Sequence, residues 1–286
     1  MLLIAGTVPL EGLPLIRGPV EADGEALVVN GHRIPSAQGT GAMINAAFAV
    51  TQYLDLDPPE VVVAGDIGRG QGTRLVYGYL SENVKRLEPQ VVSLHYCLPV
   101  MGSMRRLCEA VERCSRKPAM IADAGSMYAA KAAGLAARFD VFTPDAPEMA
   151  FLADPDATHP AYIARHLFDY DISRTPELAA QAYRCRNASK LLLVKGKIDY
   201  VVEDGHVVAT IGNPDVPELE PIGGTGDTIT GLVSAFIYAG LELDAAAIIA
   251  ARANRMAGKM AHPTPATSVA QIIRQFPAVF KEYLCE

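Results

Sequence analysis

PIGGTGDTITGLVSAFIYAG, residues 221–240, joins a glycine turn to an apolar helix. Ile229, Leu232, Val233, Phe236 and Ile237 fall at i, i+3, i+4, i+7 and i+8, so the helix buries a face and its N-terminus is firmly positioned. Gly240 is placed to end it. Gly223, Gly224 and Gly226 permit close backbone approach and positive φ, and the free N–H groups of a helix start suit an anion such as a phosphate. Asp227 stands at the same spot. As a helix cap it has an ordinary structural explanation. Beside a phosphate, a carboxylate is useful as the base that takes the proton of an attacking hydroxyl, while the turn stabilises charge on the transferred phosphoryl group.

Outward from this stretch, EVVVAG (60–65), QVVSLHY (90–96), AMIADA (119–124), DVFTP (140–144) and LLLVKG (191–196) are nearly continuous apolar runs, which predicts strands buried on both faces. Helical patterns over 72–87, 103–115, 127–137 and 176–187 alternate with them. That order predicts an α/β fold, a mostly parallel central sheet with helices on both faces. IDYVVEDGHVVATI (198–211) predicts a hairpin turning at Asp204 and Gly205, and the last third reads as helical over 227–239, 245–260 and 268–283. Without repeats or linkers, residues 1–286 read as one domain. Ligands of such sheets bind beyond the carboxyl ends of the strands, here marked by Gly65, Asp66, His95, Asp123, Thr143, Asp145, Lys195 and Gly196.

The net charge of −7 comes without basic runs, so nothing supplies the stripe that nucleic acid or an anionic membrane surface requires, and small molecules are the expected partners. Cys97, Cys108, Cys114, Cys185 and Cys285 show no metal-ligand spacing and read as reduced thiols of a cytoplasmic protein, with a homo-oligomer left open. MLLIAGTVPLEG at the N-terminus has no basic region and only a short apolar run, so neither export nor membrane insertion is expected. GxxxxGK[ST] does not occur, and GDIGRGQG (65–72) spaces its glycines GxGxG, which argues against a P-loop and against a dinucleotide-binding hydride-transfer enzyme.

GGTGDTITGLVSAFIYAG (223–240) resembles the GTGD signature of the ribokinase-like superfamily. The order of further motifs resembles the ATP/ADP-dependent NAD(P)H-hydrate dehydratases, with AGDIG (64–68) similar to their strand-end glycine motif and IADAG (121–125) to their aspartate-rich strand end. TPDAPE (143–148), VKG (194–196) and the alanine-rich AARANRMAG (250–258) follow in the same order, so the resemblance runs from about residue 40 to the end. It implies a ribokinase-like fold, ATP or ADP as donor with Mg2+, and Asp227 as base. It implies nucleotide binding by the turn Gly223, Gly224, Thr225 and Gly226 and by Lys195, Gly196, Lys197, Ile198 and Asp199. Asn254, on the helix after the turn, joins them as a candidate lining of the adenine pocket. Ala42, Gly68 and Asp145 are implied on the substrate side. Asp123 joins them because nothing local explains a carboxylate closing an apolar strand.

Asp145 and Glu148, with Pro147 between them, form a capping box, and the superfamily pattern implies a magnesium role for Glu148 as well. His95, alone at its strand end, reads first as structural, with a catalytic role as the alternative. Asp145 stands where the dehydratases have histidine, and Asp66 intrudes into their glycine motif. Both imply negative charge beside a substrate that carries a pyrophosphate, so the first expectation is an ATP-dependent kinase of another small hydroxylated metabolite. The alternatives are a true NAD(P)H-hydrate dehydratase and a catalytically silent nucleotide-binding relative.

Overall fold

A computed structural model describes residues 1–23, 26–158 and 174–283; Cys285 lies outside them. The chain begins with β1 (Leu2–Val8), β2 (Ile16–Asp23), β3 (Ala26–Val29) and β4 (His32–Ile34), followed by α1 (Gly39–Tyr53). Strands and helices then alternate as β5 (Glu60–Gly65), α2 (Gln71–Leu87), β6 (Val91–His95), α3 (Met101–Val111), β7 (Ala119–Ala122), α4 (Ala124–Ala132), β8 (Val141–Phe142), α5 (Ala146–Ala153), α6 (Thr175–Arg184) and β9 (Leu191–Val194). The hairpin β10 (Asp199–Glu203) and β11 (His206–Ile211) precedes α7 (Thr225–Tyr238), α8 (Leu243–Met260), α9 (Val269–Ile273) and α10 (Phe276–Tyr283).

The strands form one 11-stranded sheet in the order β11-β10-β9-β8-β7-β6-β1-β5-β2-β3-β4. From β9 to β5 neighbours run parallel, whereas β10–β11 and β2–β4 add antiparallel ribbons at the two edges. The core divides across the sheet as the pleat requires: Leu2, Ile4, Val61, Val63, Leu191 and Leu193 face one layer of helices, and Leu3, Ala5, Val62, Ala64, Leu192 and Val194 face the other. This is the mostly parallel, doubly covered sheet expected. β1 is not among the expected strands. Its seven residues LLIAGTV are all buried at the sheet centre, between β5 and β6, where a short uncharged run at a chain start carries no periodic signal.

α7 differs from a one-faced amphipathic helix, since Thr228 through Phe236 are all buried. It packs between α1, α8 and β6. Gly231 makes the closest of these contacts possible, because a Cβ there would stand 2.1 Å from the carbonyl oxygen of Met43 on α1. Close α1–α7 packing brings the start of α1 onto the glycine turn, and that approach builds the site. No described helix is long and apolar enough to cross a membrane.

Candidate active site

Gly224 takes φ +97 as the N-cap of α7 and makes no side-chain cap hydrogen bond, so Asp227 falls in the first helical turn and is not the cap. Its carboxylate is oriented from outside the helix. Oδ2 accepts the N–H of Gly39, the first residue of α1, at 2.7 Å. Oδ1 lies 3.1 Å from His95 Nε2 at the end of β6. Two helix N-termini therefore converge on one carboxylate, a setting that favours negative charge. Burial raises the Asp227 pKa, but the adjoining His95 outweighs it and holds the group below the ordinary carboxylate value.

His95 is fully buried. Its Nδ1 lies 3.2 Å from Thr40 Oγ1, which donates its own hydrogen to the carbonyl of Thr7 at 2.7 Å. Thr40 can then only accept from the ring, so Nδ1 carries a proton. Nε2 faces Asp227 at 3.1 Å and Asp123 Oδ2 at 3.6 Å, without a well-aligned hydrogen bond to either. Burial works to lower the pKa of this imidazole, yet Asp123 and Asp227 lift it to about 9.

Asp123 closes β7 and caps α4 through Ala124 N–H at 2.8 Å, which supplies the local explanation absent from the sequence. Its other oxygen accepts Lys195 Nζ at 2.8 Å and Thr230 Oγ1 at 2.6 Å, and Thr230 meets Thr143 at 2.8 Å. Despite burial, Lys195 and His95 keep Asp123 well below the usual carboxylate range. Lys195 directly follows β9 and is largely buried, with its stem beside Gly226, and although burial opposes its charge, Asp123 and Glu148 raise its pKa.

The remaining candidates fall into three groups. Asp145 and Glu148 make the expected capping box, with reciprocal bonds of 2.8 and 2.9 Å. Glu148 also accepts Tyr128 OH at 2.6 Å, and burial, then Asp145 and Asp123, push its pKa up to about 8. In the loop after β9, Asp199 is turned inward onto Gly196 N–H at 3.0 Å and Arg255 Nε at 2.7 Å. Arg255 in turn binds the carbonyls of Gly196 and Lys197, while Lys197 and Ile198 are exposed. Asn254 clamps the start of α7, donating to Thr225 O at 3.0 Å and accepting from Thr228 Oγ1 at 2.7 Å.

Two further placements bear on the substrate side. Asp66 does not project toward a ligand. Its carboxylate accepts the N–H groups of Gly68, Arg69, Gly70 and Thr73 and the hydroxyl of Thr73, all within 3.1 Å, so the glycine loop wraps its own anion. Ala42 is wholly buried in α1, where its methyl packs the core. Sequence reasoning gives no site role to Gly39, Thr40 or Thr230 and only a secondary one to His95; the available signal is a histidine closing an otherwise apolar strand.

Residues 84–275 match the family model described as NAD(P)H-hydrate dehydratase. AGDIG and Ala42 lie outside that stretch, and the strand end that faces Asp227 within it is that of β6. An uncharacterized protein of Methanocaldococcus jannaschii is 34% identical over 242 residues, covering 85% of this chain and 100% of the relative. The ADP-dependent (S)-NAD(P)H-hydrate dehydratase of Xanthomonas campestris is 28% identical over 272 residues, covering 89% and 86%. Among solved structures, the ADP/ATP-dependent NAD(P)H-hydrate dehydratase of Bacillus subtilis, co-crystallized with ATP/Mg2+ and soaked with CoA, superposes with a TM-score of 0.59 at 12% identity, covering 98% of this chain and 91% of that one. Phosphofructokinase-2 of Escherichia coli, in a tetrameric inhibited form, gives 0.54 at 12% identity over 98% and 100%. These structural likenesses establish a ribokinase-like fold.

Proposed function

The chain belongs to the NAD(P)H-hydrate dehydratase family of enzymes, and we propose that it is a nucleotide-dependent dehydratase of hydrated NADH or NADPH. The observation that carries this reading is Asp227, an ionised carboxylate held by Gly39 N–H and His95 at the mouth of the glycine turn. The kinase expectation rests on charge from Asp66 and Asp145 against the substrate. Asp66 is consumed by its own loop, and Asp145 is spent in part on the capping box.

The terminal phosphates of ATP or ADP fit the start of α7, where Gly223, Gly224, Thr225 and Gly226 leave the backbone accessible and Lys195 lies alongside. Gly196, with Lys197, Ile198 and Asp199, forms the loop that Arg255 fixes after β9. Glu148 and Asp145 are the oxygen donors that would hold magnesium through water, the cation returning Glu148, pushed up to about 8 in the free protein, to its ionised form. When bound, the ion neutralises phosphate charge.

The substrate hydroxyl gives its proton to Asp227 as its oxygen bonds to the terminal phosphorus of the nucleotide; the bridging P–O bond breaks, ADP leaves from ATP (or AMP from ADP), and the helix N-terminus stabilises the charge that develops. In hydrated NADH the ring nitrogen then uses its lone pair to expel the new phosphate, and loss of a ring proton restores the dihydronicotinamide. Phosphorus NMR of hydrated NADH with ATP or ADP tests this. One inorganic phosphate should form per nucleotide consumed, whereas a persistent phosphate ester would assign a kinase.

A further inference from the structure

The aspartate of the turn does not stand alone, because its neighbour on β6 is tied into the fold from three sides. Thr40 on α1 fixes Nδ1–H of His95, since the only hydroxyl hydrogen of Thr40 is given to Thr7. Tyr96, the next residue, is held at φ +52 by its carbonyl, which accepts Thr7 Oγ1 at 2.6 Å. Its ring lies against the imidazole at 4.6 Å and 59°. A left-handed conformation at a tyrosine is unfavourable by itself and persists where the surroundings enforce it. Here it sets the strand end so that Nε2 faces Asp227 at 3.1 Å and Asp123 at 3.6 Å.

We infer that His95 is the positioning residue of the base, an imidazolium that keeps Asp227 ionised and aimed at the acceptor hydroxyl. This rests on the dehydratase reading for its role in turnover, although the ion pair itself is a property of the free protein. Charge balance supports it. Lys195 pairs with Asp123, while the cationic candidate in contact with Asp227 is His95, so a neutral ring would leave that carboxylate without a charged partner in contact, and an imidazolium supplies one.

The groups facing His95 are Asp227 from α7, Asp123 from the β7–α4 junction, Thr40 from α1 and the ring of Tyr96. Those facing Asp227 add Gly39 N–H from α1 and the Lys195 charge from β9. Tyr96 stays neutral across the range of interest, because burial and then Asp227 push its hydroxyl up to about 12. The pH response of the base is therefore set by His95, Asp123 and Lys195 together, with Glu148, pushed up to about 8, acting at one remove through Asp123 and Lys195; His95 is the group in contact with Asp227 that changes charge nearest neutrality.

Nitrogen-15 NMR of the imidazole in the ligand-free protein tests the pair without any substrate. At pH 7 both ring nitrogens should carry protons, and in Asp227→Asn the titration should move to lower pH. A neutral His95 in the wild type overturns the inference whatever the protein's activity proves to be. In turnover, His95→Gln keeps a donor facing Asp227 but no charge. Its kcat should fall ~10-fold or more with nucleotide KM nearly unchanged, and the acid limb of the rate profile should move to higher pH as burial reasserts itself on Asp227. His95→Ala should fall further. An acid limb in His95→Gln that coincides with the wild type overturns the inference, while loss of activity in all proteins with the NMR result intact would instead remove the dehydratase reading.

Discussion

Asp227→Asn conserves shape and removes one charge, and the structure states what that costs. The carboxylate faces a donor on each side, Gly39 N–H at 2.7 Å and His95 Nε2 at 3.1 Å. An amide supplies one acceptor and one donor, so with its oxygen on Gly39 N–H its own N–H opposes His95 Nε2–H for as long as the ring is doubly protonated, and the clash is relieved once Nε2 loses its proton. An unsatisfied buried donor costs ~1–3 kcal/mol. His95 also loses one of the two carboxylates that hold its proton. Its folded pKa of about 9 lies above the ordinary 6.5, so the stabilisation is complete below pH 6.5 and is lost as the pH rises through about 9. The whole effect is about 3 kcal/mol, shared between Asp227 and Asp123. Asp227→Asn should therefore be destabilised by ~1–3 kcal/mol at about pH 6 in urea denaturation, with the gap to wild type narrowing by about pH 10. Turnover should fall ~10²-fold or more, with nucleotide affinity within a few-fold of wild type. Equal turnover, or a stability difference independent of pH, would refute the reasoning.

Gly226→Val tests the phosphate position: the atoms nearest a Cβ at Gly226 belong to the Lys195 side chain, at 3.7 Å, an ordinary contact, so the protein should fold with little change in Tm yet lose ATP and ADP binding in calorimetry. Retained affinity would remove the phosphate from the turn. Asp66→Asn halves the acceptor capacity that Gly68, Arg69, Gly70 and Thr73 share, and should lower stability by ~1–3 kcal/mol without raising kcat/KM. A tenfold gain in activity would show that Asp66 does repel the substrate after all.

Much of the sheet is legible because strands buried on both faces leave unbroken apolar runs; Glu60–Gly65 matches its run residue for residue. Helix starts are less legible. α4 begins at Ala124, not 127, because Asp123 caps it from the strand end, a bond that follows only once β7 and its neighbours are in place. The role of Asp66 is hidden for a related reason. Its charge is visible in the sequence, but the loop closing on that charge is a matter of backbone direction. His95 carries little weight in the sequence because its meaning depends on Asp227, far along the chain and brought near only by β6 packing under α7. The glycine turn is recognisable because its chemistry is local.

In the proposed reaction the chain uses a nucleotide and Asp227 to return hydrated NADH to NADH. The direct measurement is the absorbance of the dihydronicotinamide at about 340 nm after wild-type protein is mixed with hydrated NADH and either ATP or ADP, with Asp227→Asn alongside. The account predicts recovery that requires nucleotide, releases one phosphate per NADH, turns over at ~1 s⁻¹ or faster, and nearly disappears in the variant. Absence of recovery with both nucleotides, or recovery undiminished in Asp227→Asn, would contradict it.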